Sequence, residues 1–182
     1  MKIETTPLSD LKLIKLNVHQ DNRGFFVERF NLQKFQEHNL PTTFYQDNHS
    51  RSAPKVLRGL HLQHNPAQGK LVGCIRGAIW DVAVDVRPNS KTYGQYYGVE
   101  LSGDNGQLLW MPSGFAHGFC VLGDEPADVM YKVSAEYNPS GEQGIMWNDK
   151  NIAIDWPIND PVISQRDQQQ ISFADYKENP CF

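Results

Sequence analysis

Cysteine is scarce and unpatterned in this chain: Cys74, Cys120 and Cys181 are widely spaced and form no CxxC pair. An odd, scattered set argues against a disulfide framework or a zinc ribbon and fits a reducing cytoplasm. Long apolar runs are also missing, so no segment reads as a membrane span. Met1 to Asp10 lacks a basic start followed by an apolar stretch, so no secretory signal is expected. The glycosylation-like triplet Asn48-His49-Ser50 then carries no meaning. Nor is there an excess of positive charge. The 17 Lys and Arg stand against 21 Asp and Glu, a formal net charge of -4, which argues against non-specific nucleic-acid binding. A small anionic ligand held by a few placed cations stays open. The GxGxxG and GxxxxGK[ST] fingerprints, the GxSxG elbow and HExxH are all absent. Rossmann dehydrogenases, P-loop enzymes, α/β-hydrolases and common metalloproteases are thereby removed.

What is present suits one globular domain over residues 1–182, with 40% hydrophobic and 11% aromatic residues to bury. The periodicity is mostly that of strands. Ile14, Leu16 and Val18 alternate with Lys15 and Asn17, and Trp80, Val82, Val84 and Val86 alternate with Asp81, Ala83 and Asp85. Further strands are predicted at Phe25–Phe30, Lys55–Gln63, Lys70–Arg76, Gln95–Ser102, Gln107–Met111, His117–Leu122 and Val129–Val133, separated by Gly, Pro, Asn and Asp turns. A helix is expected at Leu32–His38 behind an Asn31 cap, and a short helical piece at Ser172–Tyr176. Many short strands in one domain point to a sandwich, barrel or jelly roll. The Asp81/Ala83/Asp85 face is expected to be solvated, with a wet barrel interior as the alternative.

Two histidines stand beside glycine turns. Arg58-Gly59-Leu60-His61-Leu62-Gln63 precedes Gln68-Gly69-Lys70, and Pro112-Ser113-Gly114-Phe115-Ala116-His117 supplies the second. The stretch from Gly106 to His117 resembles the second motif of the cupin superfamily. Metal-binding cupins carry His-x-His in the earlier motif, where this chain has His61-Leu62-Gln63. An amide is a poor substitute for an imidazole ligand, so a metal-free site using histidine for proton transfer is the favoured reading. A metal-dependent isomerase or dioxygenase using His61 and His117 is the competing one. A non-catalytic sugar-nucleotide binding domain is the third.

Longer stretches are more specific in combination. They are Asp21 to Glu28, Gln46 to Ser50, Val56 to His61, Gln68 to Val72, Asp81 to Arg87, Trp110 to Phe119, Tyr131 to Val133, Trp147 to Asp149 and Ser164 to Asp167. In this order the chain resembles the dTDP-4-dehydrorhamnose 3,5-epimerase family almost from end to end. The resemblance implies a mainly β, cupin-type jelly roll with one or two short peripheral helices. It also implies a homodimer, no metal and no other cofactor, and a dTDP-linked 4-keto-6-deoxysugar epimerised at C3 and C5. By the same resemblance His61 is the base, oriented by Asp167, Lys70 faces the developing enolate oxygen, and Tyr131 is the acid. Arg23, Arg58 and Arg166 match residues that handle the diphosphate or sugar. Glu28, Gln46, Asn48, His117 and Glu142 match substrate contacts, and Tyr137 a stacking partner for thymine. Asp81 is matched to a support for an active-site histidine. Strict alternation puts Arg58 and His61 on opposite faces, so the family reading requires a bulge at Gly59. Relatives that invert one carbon share these residues. Ser134 to Glu136 and Gln168 to Gln170 match nothing assignable.

Overall fold

In the computed structural model, which describes residues 1–182, the strand alternation resolves into two packed sheets. In chain order the strands are β1 (Lys2–Thr5), β2 (Lys12–Lys15), β3 (Val18–Asp21), β4 (Gly24–Val27), β5 (Gln46–Ser52), β6 (Val56–Gln63) and β7 (Lys70–Arg76). They continue as β8 (Ala78–Asp85), β9 (Tyr96–Ser102), β10 (Gln107–Met111), β11 (Phe115–Leu122), β12 (Ala127–Val133), β13 (Glu142–Gly144) and β14 (Val162–Ile163). Helix α1 (Leu32–Glu37) follows β4, and α2 (Phe173–Glu178) lies near the C-terminus. One sheet has the order β1-β2-β10-β7-β12-β5 and the other β13-β6-β11-β8-β9, with β14 also on β6. All pairings are antiparallel except β14 on β6. This is the mainly β jelly roll with two short helices that the sequence implies.

The core has three parts. Val72, Cys74, Leu109, Phe115, Phe119, Val121 and Val129 meet between the sheets. The outer face of β8 and β11 is covered by Phe173 and Tyr176 of α2, and the outer face of β7 and β10 by Phe35 of α1. Covering both faces of central strands explains why β8 carries apolar residues so densely. Asn31 caps α1 by accepting from Lys34 N, as expected. Ser172 and Asp175 form a reciprocal capping box that starts α2 one residue later than predicted.

Several expectations need correction. The Ile14–Val18 alternation is not one strand. Leu16 donates its N–H to Gly106 O at the end of the sheet, and the chain then leaves for the separate β3–β4 hairpin. The Phe25–Phe30 strand stops at Val27. Lys55 and Gln95 fall in turns, while β11 and β12 begin earlier than the periodicity suggested. The acidic face of β8 is not solvated: Asp81 and Asp85 are fully buried. Asp85 is held by Arg87, Ser90 and Thr92, and Asp81 by His117. A carboxylate placed among fixed donors can be buried, which a hydropathy pattern does not register. Strand β5, Gln46 to Ser52, is polar throughout and was not expected. It is an edge strand paired only with β12, with Asp47, His49 and Arg51 exposed on one face and Gln46, Asn48 and Ser50 half-buried on the other, so no apolar alternation marks it.

Candidate active site

The site is assembled around an interruption in β6. Opposite β11, His61 pairs with His117 and Arg58 with Phe119, so three steps on β6 match two on β11. That extra residue places Arg58 and His61 on one face. Gly59 sits at the bulge with φ +123°, and a Cβ there would lie 2.5 Å from Gly118 Cα. Only glycine combines that backbone with so close an approach. On the outer side, β13 covers residues 61–63 and β14 covers 56–57. The Gly59 N–H, between them, donates instead to Asp167 Oδ2 at 3.2 Å. Asp167 opens the short 3-10 turn after β14 and donates its own N–H to Ser164 Oγ at 3.1 Å. Its other oxygen, Oδ1, lies 2.7 Å from His61 Nε2. Burial acts to raise the Asp167 pKa, but the bonds from His61, Gly59 and Ser164 outweigh it and hold the carboxyl below its ordinary value.

His61 opens into a cavity of about 290 Å³ that is also lined by Gln46, Asn48, Gln68, Lys70, Tyr131, Tyr137 and Glu142. Lys70 is buried and donates from Nζ to His61 O at 3.1 Å. Burial brings its pKa down to about 8, with Glu142 and Asp81 pulling the other way. Tyr131 projects from β12 beside Asn48 of β5. Burial raises its phenol pKa, the Arg58 guanidinium opposes that rise, and Glu142 and Tyr137 add to it. The cavity thus sets a carboxylate-backed imidazole, an ammonium group with its pKa lowered to about 8 and a phenol around one space. That set can remove a proton from carbon, stabilise an oxyanion and return a proton.

At the mouth, Glu142 Oε2 accepts from Tyr137 OH at 2.7 Å and from Arg166 Nη2 at 2.6 Å. Burial favours a higher Glu142 pKa, but Arg166 and Tyr137 bring it below the ordinary value. Gln46 Nε2 donates to Asn48 Oδ1 at 2.7 Å, and Gln46 Oε1 accepts from Tyr137 N at 3.1 Å.

Of the residues singled out from sequence, His61, Lys70, Tyr131, Gln46, Asn48, Tyr137 and Glu142 line the cavity. Asp167 and Arg166 stand behind them as direct partners. Arg58 bonds Ser52 Oγ at 3.0 Å and acts on Tyr131 through its charge. His117 is buried against Asp81, at 2.7 Å, and does not line the cavity. Arg23 and Glu28 lie apart from it, exposed on the β3–β4 hairpin and its exit and paired with Asp21 and Lys34. Gln68 was missed. It lies just ahead of β7, two residues before Lys70, and its place in the matching stretch Gln68 to Val72 was the available signal. His61 and His117 are each engaged by a carboxylate, and no three His, Cys, Asp or Glu side chains converge as a metal-ligand set.

A family profile described as dTDP-4-dehydrorhamnose 3,5-epimerase matches residues 5–175. The chain belongs to that family. The dTDP-4-dehydrorhamnose 3,5-epimerase of Shigella flexneri is 48% identical over 177 residues, covering 96% of this chain and 97% of that protein. The crystal structure of the Elizabethkingia anophelis enzyme superposes with a TM-score of 0.90 at 46% identity, covering 96% of this chain and 97% of the other. A Legionella pneumophila 3,5-epimerase, solved in complex with dTDP-4-keto-L-rhamnose, gives a TM-score of 0.91 at 43% identity, with coverages of 95% and 93%. Members of this family are isomerases acting on a nucleotide-linked sugar, the class of chemistry the cavity is equipped for.

Proposed function

We propose that the protein epimerises C3 and C5 of dTDP-4-dehydro-6-deoxy-D-glucose, giving dTDP-4-dehydro-L-rhamnose, as a step of dTDP-rhamnose synthesis. The observation that carries this reading is the His61–Asp167 pair opening into the same cavity as Lys70 and Tyr131. An ionised Asp167 accepts from Nε2 of His61, which leaves Nδ1 as the basic nitrogen. That imidazole takes the proton from a carbon beside the C4 ketone, and the electron pair moves onto the ketone oxygen. Lys70, in its ammonium form, stabilises the enolate oxygen. Tyr131 gives its proton to the opposite face of the same carbon, and the ketone re-forms with inverted configuration. The sequence repeats at the second carbon after proton exchange with water. No oxidant or reductant is consumed.

Arg58, Arg166 and the mouth residues Gln46, Asn48, Tyr137 and Glu142 are assigned to the dTDP-sugar, with Tyr137 against the thymine. His117, paired across the sheet with His61, is assigned a supporting role behind it. Arg23 and Glu28 cannot serve the cavity of their own chain from where they stand, and we assign them to the cavity of a second copy in a homodimer. Phe25 and Phe26 support this, being 49% and 69% exposed on the same hairpin. A cytoplasmic setting suits the three free thiols. The structure contains no helix long and apolar enough to cross a membrane.

The test is incubation with dTDP-4-keto-6-deoxyglucose in deuterated water, read by NMR. Deuterium at both C3 and C5 is expected. Incorporation at one carbon alone makes the protein a single-carbon epimerase, and none at either carbon from folded protein rejects the reading. Tyr131→Phe should keep part of the exchange while slowing completed inversion.

A further inference from the structure

We propose that Gln63 is a positioning residue of the pocket mouth, its buried amide fixing the backbone on both sides of Tyr137. Gln63 ends β6 and is only 3% exposed. Its Nε2 donates to Pro66 O at 2.9 Å and to Glu136 O at 3.0 Å, while its Oε1 accepts from Asn138 N at 2.9 Å. A carboxamide is the side chain that offers two donors and an acceptor in one plane, and here all three are used. Glu136 and Asn138 are the two neighbours of Tyr137. The backbone of Gln63 also pairs with Glu142, whose carboxylate accepts from the Tyr137 hydroxyl. One residue therefore fixes the chain before Tyr137, the chain after it and the partner of its phenol.

Tyr137 needs such support, because it is 51% exposed and little packing holds it. The adjoining segment, Ser134 to Glu136, is secured in the same way. Gln68 Nε2 donates to Ala135 O at 2.8 Å, Gly69 N to Ser134 Oγ at 2.8 Å, and Ser134 N to Gly69 O at 3.0 Å. Residues without an assignable role in the sequence are thus the tether of the aromatic side chain at the mouth. Neither Gln63 nor the carbonyls it holds need touch a ligand for this. Its effect on binding passes through Tyr137.

The inference rests on the reading of Tyr137 as the contact for the thymine base. The experiment measures dTDP affinity by calorimetry for wild type, Gln63→Leu, Tyr137→Ala and the double variant, alongside the deuterium exchange rate at saturating substrate. Gln63→Leu removes all three of these hydrogen bonds at once, and is expected to weaken dTDP binding about tenfold. It should raise KM in parallel, while kcat for exchange stays within about threefold of wild type. The double variant should bind dTDP no more weakly than Tyr137→Ala alone, because both changes act on one side chain. Unchanged dTDP affinity in Gln63→Leu, full multiplication of the two effects, or a fall in kcat at constant KM overturns the proposal. Wild type that binds dTDP without exchanging any proton would sink the epimerase reading and leave the binding comparison intact. Should circular dichroism show Gln63→Leu unfolded, Gln68→Leu removes a single tie. It is expected to weaken dTDP about two- to threefold, again without adding to Tyr137→Ala, and wild-type affinity there also refutes the idea.

Discussion

The His61–Asp167 and His117–Asp81 pairs are near copies in local geometry. Each sets Nε2 2.7 Å from Oδ1, and the two histidines face each other across β6 and β11. Their surroundings differ. The His61 side chain is 26% exposed and opens into the cavity, while His117 and Asp81 are 8% and 0% exposed. The aspartates also come from different kinds of structure. Asp81 sits mid-strand in β8, whereas Asp167 comes from a turn about a hundred residues beyond its histidine and occupies a gap left between two short strands. A carboxylate-backed imidazole therefore does not by itself distinguish the proposed base from its neighbour. Access to a space that also holds a cation and an acid separates one pair from the other.

The most severe way to break the comparison is to truncate each histidine. His61→Ala removes the proposed base and should lower deuterium exchange at C3 and C5 by roughly a thousandfold, measured where the variant is folded. His117→Ala strips Asp81 of its partner inside the sheet sandwich and should cost about 3 kcal/mol of stability by denaturant titration. Its exchange rate, taken where the variant is folded, should fall less than that of His61→Ala. If His117→Ala loses exchange as fully as His61→Ala while remaining stable, the assignment of roles to the two pairs is wrong.

A milder change sharpens the same contrast. Asp167→Asn keeps the shape but replaces the carboxylate proposed to fix the tautomer and stabilise the imidazolium, so kcat should drop about a hundredfold. Asp81→Asn should leave kcat within about tenfold, because its histidine is not the group that opens onto the cavity. Equal kcat losses in the two variants would remove the distinction.

Much of this contrast was legible in the residues, and the rest was not for definable reasons. The Gly59 bulge could be inferred, because His61 and Arg58 both belonged to matching stretches and alternation alone set them on opposite faces. The solvated reading of Asp81 failed because periodicity reports which residues share a face, not whether donors wait opposite them. Strand β5 was missed because an edge strand lining a wet pocket has no apolar alternation to show. Gln63 was read only as an amide standing where a histidine might be, since its three hydrogen-bond partners lie on segments that folding alone brings together. The separation of Arg23 and Glu28 from the cavity likewise depends on where the β3–β4 hairpin leaves the sheet, at Leu16, which the pattern of residues ran straight through.

The third prediction concerns pH. In its proposed role beside the enolate oxygen Lys70 must be protonated, and its pKa has been brought down to about 8 by burial. Its cationic fraction is full below that value and declines above it, so kcat/KM should descend about tenfold per unit on the alkaline side. Lys70→Arg keeps its charge throughout the accessible range, so that alkaline limb should vanish from the profile, at a lower absolute rate. Persistence of the limb in Lys70→Arg would assign it to another group.

The smallest expected effect is on stability, and it isolates the Asp167 charge from its role in turnover. The folded-state pKa of Asp167 is depressed, so the unfolded chain binds this proton more readily. The stabilisation is therefore complete above the ordinary carboxylate pKa and is lost as pH falls through the lower, folded-state value. Asp167→Asn should cost about 1.5 kcal/mol at neutral pH, the worth of a hydrogen bond to a charged group. The gap between variant and wild type should then narrow as the solution is acidified. Denaturant titrations of both proteins at neutral pH and in acid measure it directly. A gap that stays constant with pH would mean that the carboxylate holds His61 and Gly59 by shape alone. The difference between the two histidine pairs would then lie wholly in the cavity rather than in the charge behind the imidazole.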